Sequence, residues 1–70
     1  MWTKGTINGY DFQIKHFEEG SEFGINEGRI SKLWISKDHK ALANYDRGWD
    51  VRPTDKGAKA VYAHLLKKYN

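Results

Sequence analysis

Side chains able to bind metals or move protons are few in this chain, and they are scattered. His16, His39 and His64 are its only imidazoles, and no cysteine accompanies them. A zinc site needs three or four ligands converging on one ion, and the recurring spacings that bring such ligands together are missing. The sequence therefore argues against a metal, and it carries no cofactor motif. Asp11, Asp46 and Asp50 could exchange protons, but paired catalytic carboxylates must converge in a cleft, for which a domain of this size has little room. Asp46 and Asp50 flank Arg47 and Gly48, a pattern that suits turn hydrogen bonds and an ion pair. Gly20, Gly24 and Gly28 lack both the Lys-Ser/Thr ending of a phosphate loop and the strand-to-helix setting of a dinucleotide fingerprint, and no serine or cysteine nucleophile motif occurs. The expectation is a chain without catalysis.

Aromatic and basic residues offer a more coherent chemistry. Trp2, Lys4, Lys15, Lys32, Trp34 and Tyr45, with Arg47 if its strand runs on, fall on one face of a sheet by the register derived below. Exposed Trp and Tyr are enriched at protein interfaces, so this face is read first as a contact surface for a partner protein or a second copy of the chain. The alternative is single-stranded nucleic acid, whose bases stack on rings while Lys and Arg hold phosphates. The plainest reading is that the rings only stabilise a small sheet through cross-strand pairs. The lysines of the C-terminal segment, Lys56, Lys59, Lys67 and Lys68, match no helix-turn-helix or basic zipper and read as a solvated face.

The elements that must position these residues follow from length and periodicity. Seventy residues make a single domain, and a chain near this size buries only about 60% of the surface that its unfolded form exposes. Without disulfides, three Trp, four Tyr and three Phe must supply most of the apolar area. No apolar run approaches the roughly 18 residues of a membrane span. The absence of cysteine fits a reducing compartment, so the cytoplasm is the expected location. The formal charge of +3 is mild. It is uneven, with Glu18, Glu19, Glu22 and Glu27 in the centre and Arg52, Lys56, Lys59, Lys67 and Lys68 towards the end.

Asn8-Gly9 between Trp2–Ile7 and Tyr10–Phe17 is the favoured two-residue hairpin turn, because both central residues need positive φ. Counting outward pairs Ile7 with Tyr10, Gly5 with Phe12 and Thr3 with Ile14 on the core side. Thr6 with Asp11, Lys4 with Gln13 and Trp2 with Lys15 take the other side. Glu18 to Gly28 reads as loop, with Ser21–Ile25 extended and Gly28 supplying a left-handed residue before the next strand. Arg29–Ser36 and Ala41–Asp46 form a second hairpin closed by Lys37–Lys40. A four-residue closure sets Ile35 against Leu42, Trp34 against Ala43 and Lys32 against Tyr45, which directs Leu33, Ile35 and Leu42 inward. Trp49 and Val51 pack under the connection to the helix. From Pro53 to Tyr69 the apolar residues Ala58, Val61, Tyr62, Leu65 and Tyr69 share one helical face, with Thr54 as the N-cap and a first turn weakened by Gly57. The expected architecture is α+β: a four-stranded antiparallel meander with one C-terminal amphipathic helix on a single face, leaving the other face uncovered.

With GINEGRISKLWI and NYDRGWDVRPTDKGAKAV in view, the chain resembles a family of short uncharacterised proteins of Firmicute bacteria and their phages or prophages. The spacing of Gly24, Gly28, Arg29, Ile30, Leu33, Tyr45, Arg47, Gly48 and Trp49 carries the resemblance, which spans nearly the whole chain. It implies a bacterial or mobile-element origin and an intracellular setting. That family has no assigned activity, so the resemblance gives no residue a role.

Overall fold

The computed structural model describes residues Met1–Asn70. Its first hairpin follows from the Asn8-Gly9 turn, where φ is 51° and 82°. Strands β1 (Trp2–Ile7) and β2 (Tyr10–His16) pair in the register counted from that turn, from Ile7–Tyr10 out to Trp2–Lys15. Strand β3 (Ile30–Lys37) pairs with β2, setting Ile14 beside Leu33 and Phe12 beside Ile35, so alternate apolar residues of both strands share one face. Strands β4 (Lys40–Asp46) and β5 (Trp49–Val51) complete a sheet in the order β1-β2-β3-β4-β5. The class is α+β as expected, but the sheet has five strands rather than four. Trp49 and Val51 belong to the added edge strand instead of lying under a connection.

The second hairpin departs from the simple count for a definable reason. Asp38 and His39 form a two-residue turn, both with positive φ, and Lys37–Lys40 and Ser36–Ala41 pair as a regular closure requires. A register shift then falls between Ile35 and Ser36, and Ile35 meets Ala43 rather than Leu42. One extra residue on β4 is a β-bulge, and beyond it every side chain changes face. Ala43 and Tyr45, expected on the open face, are therefore buried in the core, while Leu42 is only half-buried.

The single helix α1 (Lys56–Tyr69) lies over β2 and β3. Its Ala58, Val61 and Leu65 are buried; Val61 and Leu65 share one core with Ile14, Leu33 and Ile35, which Ile25 and Ile30 close. Ile25 enters from a short 3-10 turn, Ile25–Glu27, in the long loop. There the positive φ values belong to Asn26 and Glu27, and Gly28 is extended rather than left-handed. At the far end of α1 the Asn70 carboxamide ties helix to loop and sheet: its oxygen accepts from the Ile30 N–H at 2.9 Å and its nitrogen donates to the Ile25 carbonyl at 3.1 Å. No helix is long and apolar enough to cross a membrane.

The helix N-terminus is fixed by a contact from the other end of the chain. Asp55, not Thr54, is the N-cap, its carboxylate accepting from the Ala58 N–H at 3.1 Å. The same carboxylate oxygen accepts from the Tyr10 hydroxyl at 3.0 Å. The Ala58 N–H, with the Tyr10 hydroxyl assisting, holds the Asp55 carboxyl below its usual range, and the bond to that carboxylate pushes the Tyr10 phenol up. Tyr10 can reach Asp55 only because residue 57 has no side chain: a Cβ there would lie 2.6 Å from the tyrosine Cζ. The first turn that Gly57 was expected to loosen is thus pinned to β2.

Two outcomes follow for stability. Gly57→Ala should destabilise the protein in urea unfolding, although alanine is favoured by about 1 kcal/mol in an unobstructed helix. Leu65→Ala, which empties a fully buried site, should cost about 3 kcal/mol, a large share of the stability of a domain this small.

Candidate interaction face

Helix α1 covers one side of the sheet, and the strand alternation decides what the other side presents. One row across the strands reads Trp2, Lys15, Lys32, Asp46, and the next reads Lys4, Gln13, Trp34, Asn44, Val51. Trp34 stands on the middle strand with its side chain away from the core, 42% exposed; Trp2 is 55% exposed. A shallow hollow lies on either side of the Trp34 ring. The larger, about 760 Å³, is bounded by Lys4, Thr6, Asp11, Gln13 and Ser36, and the smaller, about 340 Å³, by Trp2, Lys32, Asn44 and Asp46.

Of the residues expected on this face, Trp2, Lys4, Lys15, Lys32 and Trp34 are there together. Tyr45 and Arg47 are not. The bulge turns Tyr45 towards the helix, where it is 8% exposed and its hydroxyl donates to the Phe23 carbonyl at 2.8 Å. Its ring meets Trp49 edge-on at 5.1 Å, and Trp49 meets Tyr62 of the helix at 5.4 Å, an aromatic chain across β4, β5 and α1. Arg47 has a φ of 61° in the turn between β4 and β5, so the strand does not run on. Its guanidinium lies 5.9 Å from the Phe23 ring.

Phe17 is the residue that the count missed. It is 46% exposed, and the Lys15 ammonium sits 5.6 Å from its ring and 5.9 Å from that of Trp2. Continuing the alternation Asp11, Gln13, Lys15 by one step would have found it. The cation between two rings is attracted to both faces and holds the three side chains as one patch.

The charge on this face is nearly balanced. Lys32 pairs with Asp46 at 3.7 Å, a half-exposed bridge of little energetic weight that nonetheless offsets one cation. Asp11 accepts from the Thr6 hydroxyl at 3.0 Å. Lys4 and Lys15 are left against one unpaired carboxylate, so the face is aromatic and polar with a small positive excess.

Asp11, Asp46 and Asp50 stand on three different strands, and no group of three or more His, Asp or Glu side chains is placed to hold a metal ion. On the covered side the His16 ring packs at a tilt against Tyr69, with centroids 5.0 Å apart, and shares a hydrogen bond of 2.8 Å between its Nε2 and the Thr3 hydroxyl.

The fold and this face define a small two-layer α+β domain with one aromatic sheet surface open. The chain belongs to the family described as Domain of unknown function (DUF7678), which it matches over residues 1–70. Neither the curated proteins nor the solved structures compared with it gave a match.

The setting of His16 has a pH consequence. Burial, with repulsion from the N-terminal ammonium and Arg29, holds its imidazole below the ordinary histidine value. The unfolded chain takes up the proton first, so stability is complete above about pH 6.5 and declines as pH falls through the lower folded-state value. An NMR titration should give His16 a lower midpoint than a histidine in an unfolded peptide. His16→Gln should flatten the dependence of unfolding free energy on pH between about 7 and 5.

Proposed function

We propose that this chain is a small non-catalytic interaction module that binds a protein partner, or a second copy of itself, through the uncovered sheet face centred on Trp34. One observation carries the reading: a tryptophan on the middle strand of the sheet is directed to solvent between two hollows instead of into the core. Small domains need their large rings inside, so an outward ring at the centre of a sheet is expensive unless something covers it.

The size of the face sets the class of contact. Five short strands spaced about 4.8 Å apart present on the order of 500 Å² of surface. Two such surfaces together bury on the order of 1,000 Å², the lower end for a specific interface, so a transient contact is expected. Its near-balanced charge favours a protein over a phosphate backbone, which needs a run of unpaired cations. The grouping of Trp2, Lys15 and Phe17 is what favours the second reading, single-stranded nucleic acid stacked on those rings. A bacterial or mobile-element origin and a cytoplasmic setting accompany the proposal on the strength of the sequence resemblance and the lack of cysteine.

Sedimentation equilibrium and two-dimensional amide NMR test the proposal together. If the face is a self-contact, the wild-type protein should associate with rising concentration, and Trp34→Ala should weaken association at least about tenfold, or about 1.4 kcal/mol, while leaving the spectrum folded. A monomer at all concentrations makes the partner a different protein. Association unaffected by Trp34→Ala and Trp2→Ala would remove the face from consideration. Tight binding of a mixed-sequence single-stranded oligonucleotide that collapses at high salt would give the function to the second reading.

A further inference from the structure

The open face is one unpartnered surface of the sheet, and its outer edge is another. Met1 and His16 exchange both backbone hydrogen bonds, at 3.0 and 2.9 Å. Antiparallel alternation then makes Thr3–Ile14, Gly5–Phe12 and Ile7–Tyr10 the bonded pairs and turns the N–H and C=O groups of Trp2, Lys4 and Thr6 away from β2. No strand lies beyond β1, so these three donors and three acceptors face outward in a row.

Exposed edges are usually blunted by brevity, proline or bulges. The opposite edge is: β5 has three residues and Pro53 follows closely. The β1 edge is not. It is six residues long, without proline, and its pairing with β2 is the only one in the sheet free of a register shift.

A groove of about 240 Å³ runs beside β1 on the helix side, with Gly5 and Phe12 at its base and Ile7, His64, Lys68 and Tyr69 around it. A strand laid against β1 would place alternate side chains in this groove. Gly5 has none of its own, and the Phe12 ring, whose Cε2 lies 3.1 Å from the place of a Gly5 Cβ, is the surface that an incoming apolar group would meet. The cations beside the edge are Lys4 on the open face and Lys68 on the helix side, and no carboxylate lines the groove. A second copy of β1 would bring another Lys4 and no acid, so the charge pattern disfavours self-pairing.

We infer that the edge of β1 accepts an extended segment of another protein, with a large apolar side chain flanked by acidic residues, as an added strand of the sheet. The inference is independent of the Trp34 face, because its hydrogen bonds come from the backbone at the sheet margin.

The test uses the blocked peptide Thr-Val-Glu-Phe-Glu-Val-Thr, in which Phe and Val face the groove and Glu faces Lys4, followed by amide NMR and hydrogen exchange. Binding should protect the N–H groups of Trp2, Lys4 and Thr6 and leave those of Thr3, Gly5 and Ile7 unchanged. Lys4→Pro removes an outward N–H without touching the β1–β2 bonds and should weaken binding at least about tenfold. Lys4→Glu, which keeps the N–H, should weaken binding in a salt-dependent way, and Trp34→Ala should leave it unchanged. No binding at millimolar peptide would overturn the inference. So would binding that Trp34→Ala abolishes and Lys4→Pro does not, a result that supports the open face instead. Concentration-dependent protection of the same three N–H groups in the free protein would show the edge occupied by a second copy, and would equally overturn it.

Discussion

A single helix is too narrow for the sheet beneath it. An α-helix with its side chains is about 10 Å across, while the axes of five strands span roughly 20 Å. Helix α1 sits over β2 and β3, where Ile14, Leu33 and Ile35 meet Val61 and Leu65. Both margins of the covered face must be closed by other means. Towards β5 the solution is aromatic: Tyr45, Trp49 and Tyr62 extend the packed surface outward ring by ring. At the loop end it is Ile25, brought in by the 3-10 turn and tied to the helix through Asn70. Towards β1 the closure is partial: His16 packs on Tyr69 and reaches Thr3, but a groove remains beside Gly5.

The same shortage of covering structure leaves the second face to solvent. A sheet with one wet side normally shows polar residues there, and Lys4, Lys15, Lys32, Gln13 and Asn44 fit that rule. Trp2, Phe17 and Trp34 do not. Cross-strand stabilisation accounts for part of this, since Lys15 lies against two of the rings. Trp34 has no such partner, and the functional reading rests on it for that reason.

Much of this arrangement was legible where local chemistry and periodicity agree. The Asn8-Gly9 turn determines its backbone and so its register, and all six pairs of the first hairpin could be counted from it. The helical stripe of Ala58, Val61 and Leu65 was equally plain. The second hairpin and its turn were legible too, but its register beyond the turn was not, because a bulge made of Ala41 and Leu42 contains no glycine or proline to mark it. That one residue moved Tyr45 from the supposed binding face into the core, while Lys32 and Trp34, on the partner strand, kept their places. A three-residue strand such as β5 is shorter than any period can reveal. The N-cap is Asp55 rather than the expected Thr54, and its carboxylate is held by Tyr10, a partner 45 positions away that no local pattern contains.

The three tryptophans occupy two different dielectric settings, and this divides the optical properties of the protein. Trp49 is half-buried, with tyrosine rings edge-on to it on two sides, whereas the indoles of Trp2 and Trp34 are open to water over about half their surface. Quenching by small solutes will therefore reach two of the three fluorophores while the chain stays folded. The emission colour of the third follows the integrity of the core, so one spectrum holds separate channels for occupancy of the open face and for folding.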